Sequence, residues 1–208
     1  MKPKLLLYCT KANPYLYKTD DTMIEKKFRD YHTQLNKAVL NGNCLNGKIV
    51  AECDFEVEEI YIGKSYGFPR NIEIVYTDSL RQPIYLSQKS CLKLEDICEY
   101  LNHKDGYAIH IKNLHIFDEP KKLTDYHCKT NKKDELCLNG GCGYKFFYKA
   151  PQNMMKVYDH WGKGDEYILI SIKPQWLLKI LNGDKSIEVR KKVLKEMLEL
   201  WLRRNKMH

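Results

Sequence analysis

Lys185, Ser186, Glu188 and Arg190 crowd one short stretch near the end of the chain, with Lys173 and Lys191 to either side. A groove that holds single-stranded nucleic acid needs cations for phosphates, hydrogen-bonding side chains for base edges and a flat wall for stacking. Lys173, Lys185, Arg190, Lys191 and the more distant Lys11 could supply charge. Ser186, Glu188 and His110 could supply edge contacts, and Trp176 and Tyr15 could supply stacking rings. Blander readings stand beside each of these. Trp176 could anchor its own helix, His110 could be a satisfied strand histidine, and Glu188 and Arg190 share a strand face and could simply pair with each other.

The elements that must position these residues follow from their neighbours. Tyr167 to Ile172 is an apolar run of strand length. Pro174 suits the first turn of a helix, where its missing N–H costs nothing. Leu177, Ile180 and Leu181 then fall on one helical face, and Gly183 is placed to end the helix in a left-handed conformation. After the turn, Ile187 and Val189 alternate with Ser186, Glu188 and Arg190. That alternation predicts a strand whose apolar pair faces a core while the polar set lines a cleft.

The middle of the chain reads as a meander. Ile49, Ala51, Cys53, Phe55 and Val57 alternate with Val50, Glu52, Asp54, Glu56 and Glu58, which predicts a long half-buried strand with an acidic outer face. Ile72, Ile74 and Tyr76 predict a shorter strand of the same kind. Leu94, Ile97, Cys98 and Leu101 have the spacing of an amphipathic helix. Ile109, Ile111, Leu114 and Ile116 predict one strand or a bulged pair of strands. Strands outnumber helices without a regular βαβ alternation, which predicts an α+β fold built on a curved sheet or barrel rather than a doubly wound parallel sheet. Thr22 to Asn41 is highly charged and predicts a helix on an insertion spanning about 18–44. Leu194, Met197, Leu198 and Trp201 predict an amphipathic C-terminal helix over 193–208, suited to packing or to a protein partner.

The chain has 208 residues, 43% of them hydrophobic, and a formal charge of +8 from 35 basic and 27 acidic side chains. That balance suits an anionic partner, although each basic run is also consistent with an ordinary solvated face. No stretch reaches the ~20 apolar residues of a membrane span. Leu5 to Leu7 is too short for a signal-peptide core, so the expected location is cytoplasmic. The eight cysteines then read as thiols or metal ligands rather than a disulfide framework. Cys128, Cys137 and Cys142, with His127, could furnish the four ligands of a tetrahedral zinc site in a loop over about 127–145. They lack a Cys-x2-Cys pair, and a loop of free thiols is the alternative. No other cofactor is expected. Cys9, Cys53, Cys91 and Cys98 fall in strand or helix patterns and are expected to be buried packing residues.

Ser171-Ile172-Lys173-Pro174, followed by Asn182-Gly183-Asp184-Lys185-Ser186-Ile187-Glu188-Val189-Arg190, resembles the ASCH family of the PUA-like fold group. The resemblance extends to Leu7-Tyr8-Cys9-Thr10-Lys11, to Leu45-Asn46-Gly47-Lys48-Ile49-Val50-Ala51-Glu52, to Gly106 through Leu114, and to Ala150-Pro151-Gln152. It implies a PUA-like curved antiparallel or mixed β-barrel with a few short peripheral helices, forming one domain over 1–192. In the family the Ser-Ile-Lys-Pro segment opens the domain, whereas here it comes last. This order implies a circular permutation, with exchange between two incomplete copies as the rival. Permutation predicts that Leu5–Tyr8 neighbours Ser186–Arg190 in the sheet or across the barrel.

The family resemblance implies RNA or nucleotide binding in the cleft beside Lys185. Two departures weigh on it. Ile109, and a position near Met154, stand where relatives carry tryptophan, which removes stacking area. A nucleoside-deacetylating relative uses a lysine matching Lys185 and a threonine three residues later, where this chain has Glu188. That hydrolase constellation is incomplete, although Lys185, Glu188 and His110 could still do acid–base chemistry on RNA or a modified nucleoside. The readings rank as RNA or nucleotide binding, then protein interaction without nucleic acid, then hydrolase, so enzymatic activity is left open and ranks last.

Overall fold

The computed structural model describes residues 3–10, 38–40, 42–65, 72–77, 83–126, 154–158 and 166–199. The fold is mixed α+β, with a large, mostly antiparallel seven-stranded sheet and few helices. The strands are β1 (Lys4–Cys9), the short pair β2 (Val39–Leu40) and β3 (Asn43–Cys44), β4 (Lys48–Ser65), β5 (Ile72–Thr77), β6 (Gly106–Lys122), β7 (Met155–Tyr158), β8 (Glu166–Ile172) and β9 (Ile187–Arg190). The helices are α1 (Pro83–Ser90), α2 (Leu94–Leu101) and α3 (Pro174–Leu181). The chain divides into two compact units, one from Met1–Cys53 and Leu114–Leu181, the other from Asp54–Asn113 and Asn182–His208.

The first unit is organised on β1. It pairs in parallel with β8, Leu5 opposite Ile168 and Leu7 opposite Ile170, and antiparallel with β4, Leu5 opposite Cys53 and Leu7 opposite Ala51. β7 adds antiparallel to β8. Strands covered on both faces read as continuous apolar runs, and Leu5, Leu6, Leu7, Ile168, Leu169 and Ile170 are all fully buried. One face of this sheet packs Leu6, Tyr8, Ile49 and Leu169 with Val157, Leu123 and Tyr126. Helix α3 starts at Pro174, packs near β1 and buries Leu177 and Ile180. Gly183 follows it at φ +82°, the left-handed turn expected from its position.

The second unit packs α1 and α2 on the sheet through Ile60, Val75, Leu86, Ile97, Cys98, Leu101, Ala108, Ile187 and Val189. The stripe of α2 is as the spacing predicts. Its Asp96 carboxylate accepts from the Lys93 N–H at 3.3 Å, and Asn102 closes its C-terminus in the αL conformation at φ 58°. Gly106 admits the helix closely: a Cβ there would stand 2.5 Å from the Leu101 Cδ2 and 3.0 Å from the Arg190 carbonyl oxygen. β6 is one long strand carrying Asn113 at φ 49°, a local irregularity of the kind a bulge produces.

Several expectations change. Of the two arrangements expected for Ser186–Arg190 and Leu5–Tyr8, adjacency in the sheet is not formed: β9 pairs with β6, while β1 has β8 and β4 as its hydrogen-bonded neighbours. On β4 Ile49, Ala51, Cys53 and Val57 are buried as the alternation expects, and the alternation ends there. Glu58 is buried at 7% exposure and Ile60 joins the core on the same parity, so the acidic outer face ends before Glu58. On β5 the buried positions are Val75 and Thr77; the side chains of Ile72, Ile74 and Tyr76 lie outside the described residues. Helix α1 was not signalled, because of its residues only Leu86 and Ser90 are buried and no apolar stripe forms. The expected helix over 22–41 lies outside the described residues except at its end, where Val39–Leu40 form a strand instead. Residues 195–199 are helical with Met197 fully buried, and Trp201 lies outside the described residues.

Candidate nucleic-acid interface

The turn after Gly183 delivers Lys185 into the second unit. Its register is fixed by backbone bonds on both sides of Ser186: the Ser186 N–H donates to the Lys89 carbonyl at 2.9 Å, and the Ile111 N–H donates to the Ser186 carbonyl at 2.8 Å. The Lys185 Nζ donates to the Ser90 carbonyl at 2.7 Å and stands 3.3 Å from the Glu188 Oε2. The other oxygen of Glu188 takes the Arg190 Nη2 at 2.9 Å. Lys185 is 3% exposed and Glu188 8%. Two cations therefore share one carboxylate in a largely enclosed site. Enclosure pulls the Lys185 amine below its usual 10.5, and Glu188 acts against that pull. A buried charge of this kind is tolerable because its protons and lone pairs are met by good partners.

Outside this cluster lies a more open set. Tyr100, on the last turn of α2, is 42% exposed, with Arg190 near enough to act on its hydroxyl. Partial burial raises the Tyr100 phenol above 10.0, and Arg190 offsets the rise. The Lys191 Nζ stands 5.4 Å from the Tyr100 ring centroid, within cation–π range. It also donates to the Asn102 Oδ1 at 2.9 Å. A single helix end thus gathers an aromatic ring, two cations and an amide. Glu188 orients Arg190 from beneath.

The sequence-predicted residues divide into those brought together and those not. Lys185, Glu188 and Arg190 converge, with Lys191 beside them. Lys185 and Glu188 are enclosed rather than lining an open cleft, because the Ser90 carbonyl and the Arg190 guanidinium close over them. Ser186 is half-buried. His110 turns away. It is the cross-strand partner of Ile187, while Glu188 is opposite Ile109, so the two side chains emerge on opposite faces of the sheet. His110 is instead buried with its Nε2 2.8 Å from the Glu58 Oε2. Lys173, exposed, and Trp176, half-buried with the Lys179 Nζ 5.2 Å from its ring, belong to the first unit.

Lys11, Tyr15, His127, Cys128, Cys137 and Cys142 lie outside the described residues. Among the described residues no group of three His, Cys, Asp or Glu side chains could hold a metal ion. Cys9, Cys53 and Cys98 are buried as expected, whereas Cys91 is only half-buried, its Sγ donating to the Asp184 carbonyl at 3.3 Å. No helix among the described residues is long and apolar enough to cross a membrane.

Sequence reasoning missed Tyr100, Asn102, Ser90 and Glu58. Tyr100 lies off the apolar stripe of α2 and so reads as an ordinary exposed residue. Asn102 did carry a signal, since Asn directly after the last stripe residue is suited to the αL closure of a helix. Comparison of the chain with family models, curated proteins and solved structures returned no match.

Proposed function

We propose that this protein binds single-stranded RNA or nucleotides through the surface formed by Tyr100, Asn102, Arg190 and Lys191. The observation that carries this reading is the part-exposed Tyr100 ring with the Lys191 ammonium 5.4 Å from its centroid and Arg190 near its hydroxyl. A ring supplies a sequence-tolerant stacking surface, and flanking cations supply the attraction for phosphate. Lys185 and Glu188 act on this surface indirectly by fixing Arg190. Because Glu188 offsets part of the Arg190 charge, the attraction is modest and binding is weak and salt-sensitive.

The same reading takes the chain as an ASCH-type, PUA-like domain in which the sheet closes as a barrel. It draws support from the strand–helix–turn–strand order of β8, α3, Gly183 and β9. A hydrolytic role for Lys185 is the weaker alternative, since its amine is enclosed against Ser90 and Glu188.

Fluorescence anisotropy with a short single-stranded RNA tests the reading. Tyr100→Ala should weaken binding by roughly fivefold to a hundredfold, the range of a lost base stack. Lys191→Ala should weaken it and flatten its salt dependence. Affinity unchanged in both variants would exclude this surface.

A further inference from the structure

The polar groups of this surface are unequal in kind, and the inequality bears on which base it accepts. Resting on the reading above, we infer that the site prefers bases carrying a carbonyl at the pairing edge, uracil and guanine, over those carrying an amino group there, cytosine and adenine. Asn102 decides this. An asparagine amide ordinarily offers one acceptor and two donor hydrogens, and can bond both the amino group and the ring nitrogen of adenine. Here the acceptor is committed, because the Asn102 Oδ1 takes a hydrogen bond from the Lys191 Nζ at 2.9 Å. A lysine ammonium has donors and no acceptor, so the oxygen must face it and the NH2 group faces away. Asn102 is exposed and held at the helix end by its αL backbone, whose N–H donates to the Glu99 carbonyl at 3.0 Å.

Of the residues named in this surface, Arg190, Lys191 and Asn102 therefore present hydrogens. Arg190 and Lys191 are donors only, and Asn102 is left with its donors. A base stacked on Tyr100 meets N–H groups. The O4 of uracil and the O6 of guanine accept them. The N4 amino group of cytosine and the N6 amino group of adenine bring donors against donors. The one carboxylate of the cluster, Glu188, is engaged by Lys185 and Arg190 at 3.3 and 2.9 Å and is 8% exposed, so it does not offer a substitute acceptor.

The test compares pairs of oligonucleotides that differ at this edge alone. Titrations of the full chain with oligouridine against oligocytidine, and with oligoinosine against oligoadenosine, should show about a tenfold preference for the carbonyl member of each pair, within the usual range for one base-edge contact. Asn102→Asp, which can only accept, should reverse the preference. Asn102→Ala should weaken binding to both members and narrow the preference, because one of the three donor groups is lost. Equal binding of each pair by the unaltered protein, or a preference for the amino member, overturns the inference and leaves RNA binding standing. Absence of binding to all four oligonucleotides overturns RNA binding itself.

Discussion

In the first unit β1 and β8 run side by side as uninterrupted apolar strands. Among the described residues, the one buried polar side chain there is Ser171. In the second unit a core of similar apolar make-up encloses Glu58, His110, Lys185 and Glu188 as well. The two interiors therefore depend on different rules. The first is held by the area it removes from water and is sensitive mainly to volume. The second is held by area and by mutual satisfaction of charges, so it is sensitive to which partner is removed. Buried charge is a poor means of gaining stability. Its retention beside Tyr100 and Arg190 fits a unit in which a precise side-chain position matters more than stability.

The largest effect that would sharpen this contrast is at Glu188. Glu188→Gln leaves Lys185 and Arg190 without their shared anion and should cost about 3–5 kcal/mol in urea denaturation. The double replacement Lys185→Met with Glu188→Leu should cost less than the single change, because it removes the orphaned lysine too. A single change costing under ~1 kcal/mol would erase the distinction between the units. In the first unit Leu169→Ala should cost about 2–5 kcal/mol through transfer and cavity terms, and no second substitution of a charged residue should rescue it.

Gly106→Ala should cost about 1–3 kcal/mol by overpacking against Leu101 and the Arg190 carbonyl, and it should also disturb Tyr100-dependent binding.

A smaller effect is expected in alkali. Burial pushes the Cys9 thiol from 9.0 up to about 12, with Cys44 adding to the rise. A thiol raised on folding contributes stability that is full below pH 9.0 and lost as pH climbs toward about 12. By pH 10 the loss should be on the order of 1 kcal/mol, and Cys9→Ala should lack that increment in melts from pH 8 to 10. Smallest of all, Lys4→Ala breaks a surface pair with Glu52 in which the lysine is 47% exposed, and should cost about 0–1 kcal/mol.

Much of this was legible in the chain. Pro174, the Leu177–Ile180 stripe and Gly183 announce β8, α3 and the turn, because each acts through local backbone geometry. The apolar runs at Leu5–Leu7 and Ile168–Ile170 announce strands covered on both faces. What stayed hidden depends on distant partners. Glu58 looks like one more acid on an alternating strand until His110 lies across from it. Lys185 looks solvated until the Ser90 carbonyl closes on it. The orientation of the Asn102 amide is set by Lys191, which is remote in sequence and comes close as β9 pairs with β6.

The β1–β8 pairing has a consequence during biosynthesis. Strand Lys4–Cys9 is made before its parallel neighbour Glu166–Ile172, with residues 10–165 between them. At ~5–20 residues per second, the ribosome takes on the order of ten seconds to supply it. Until then Leu5, Leu6 and Leu7 present an apolar strand with one edge unfilled, the kind of edge that attracts other chains. The nascent polypeptide should therefore lean on chaperones, and slowing translation between Cys9 and Glu166 should increase aggregation while slowing it well after Ile172 should not.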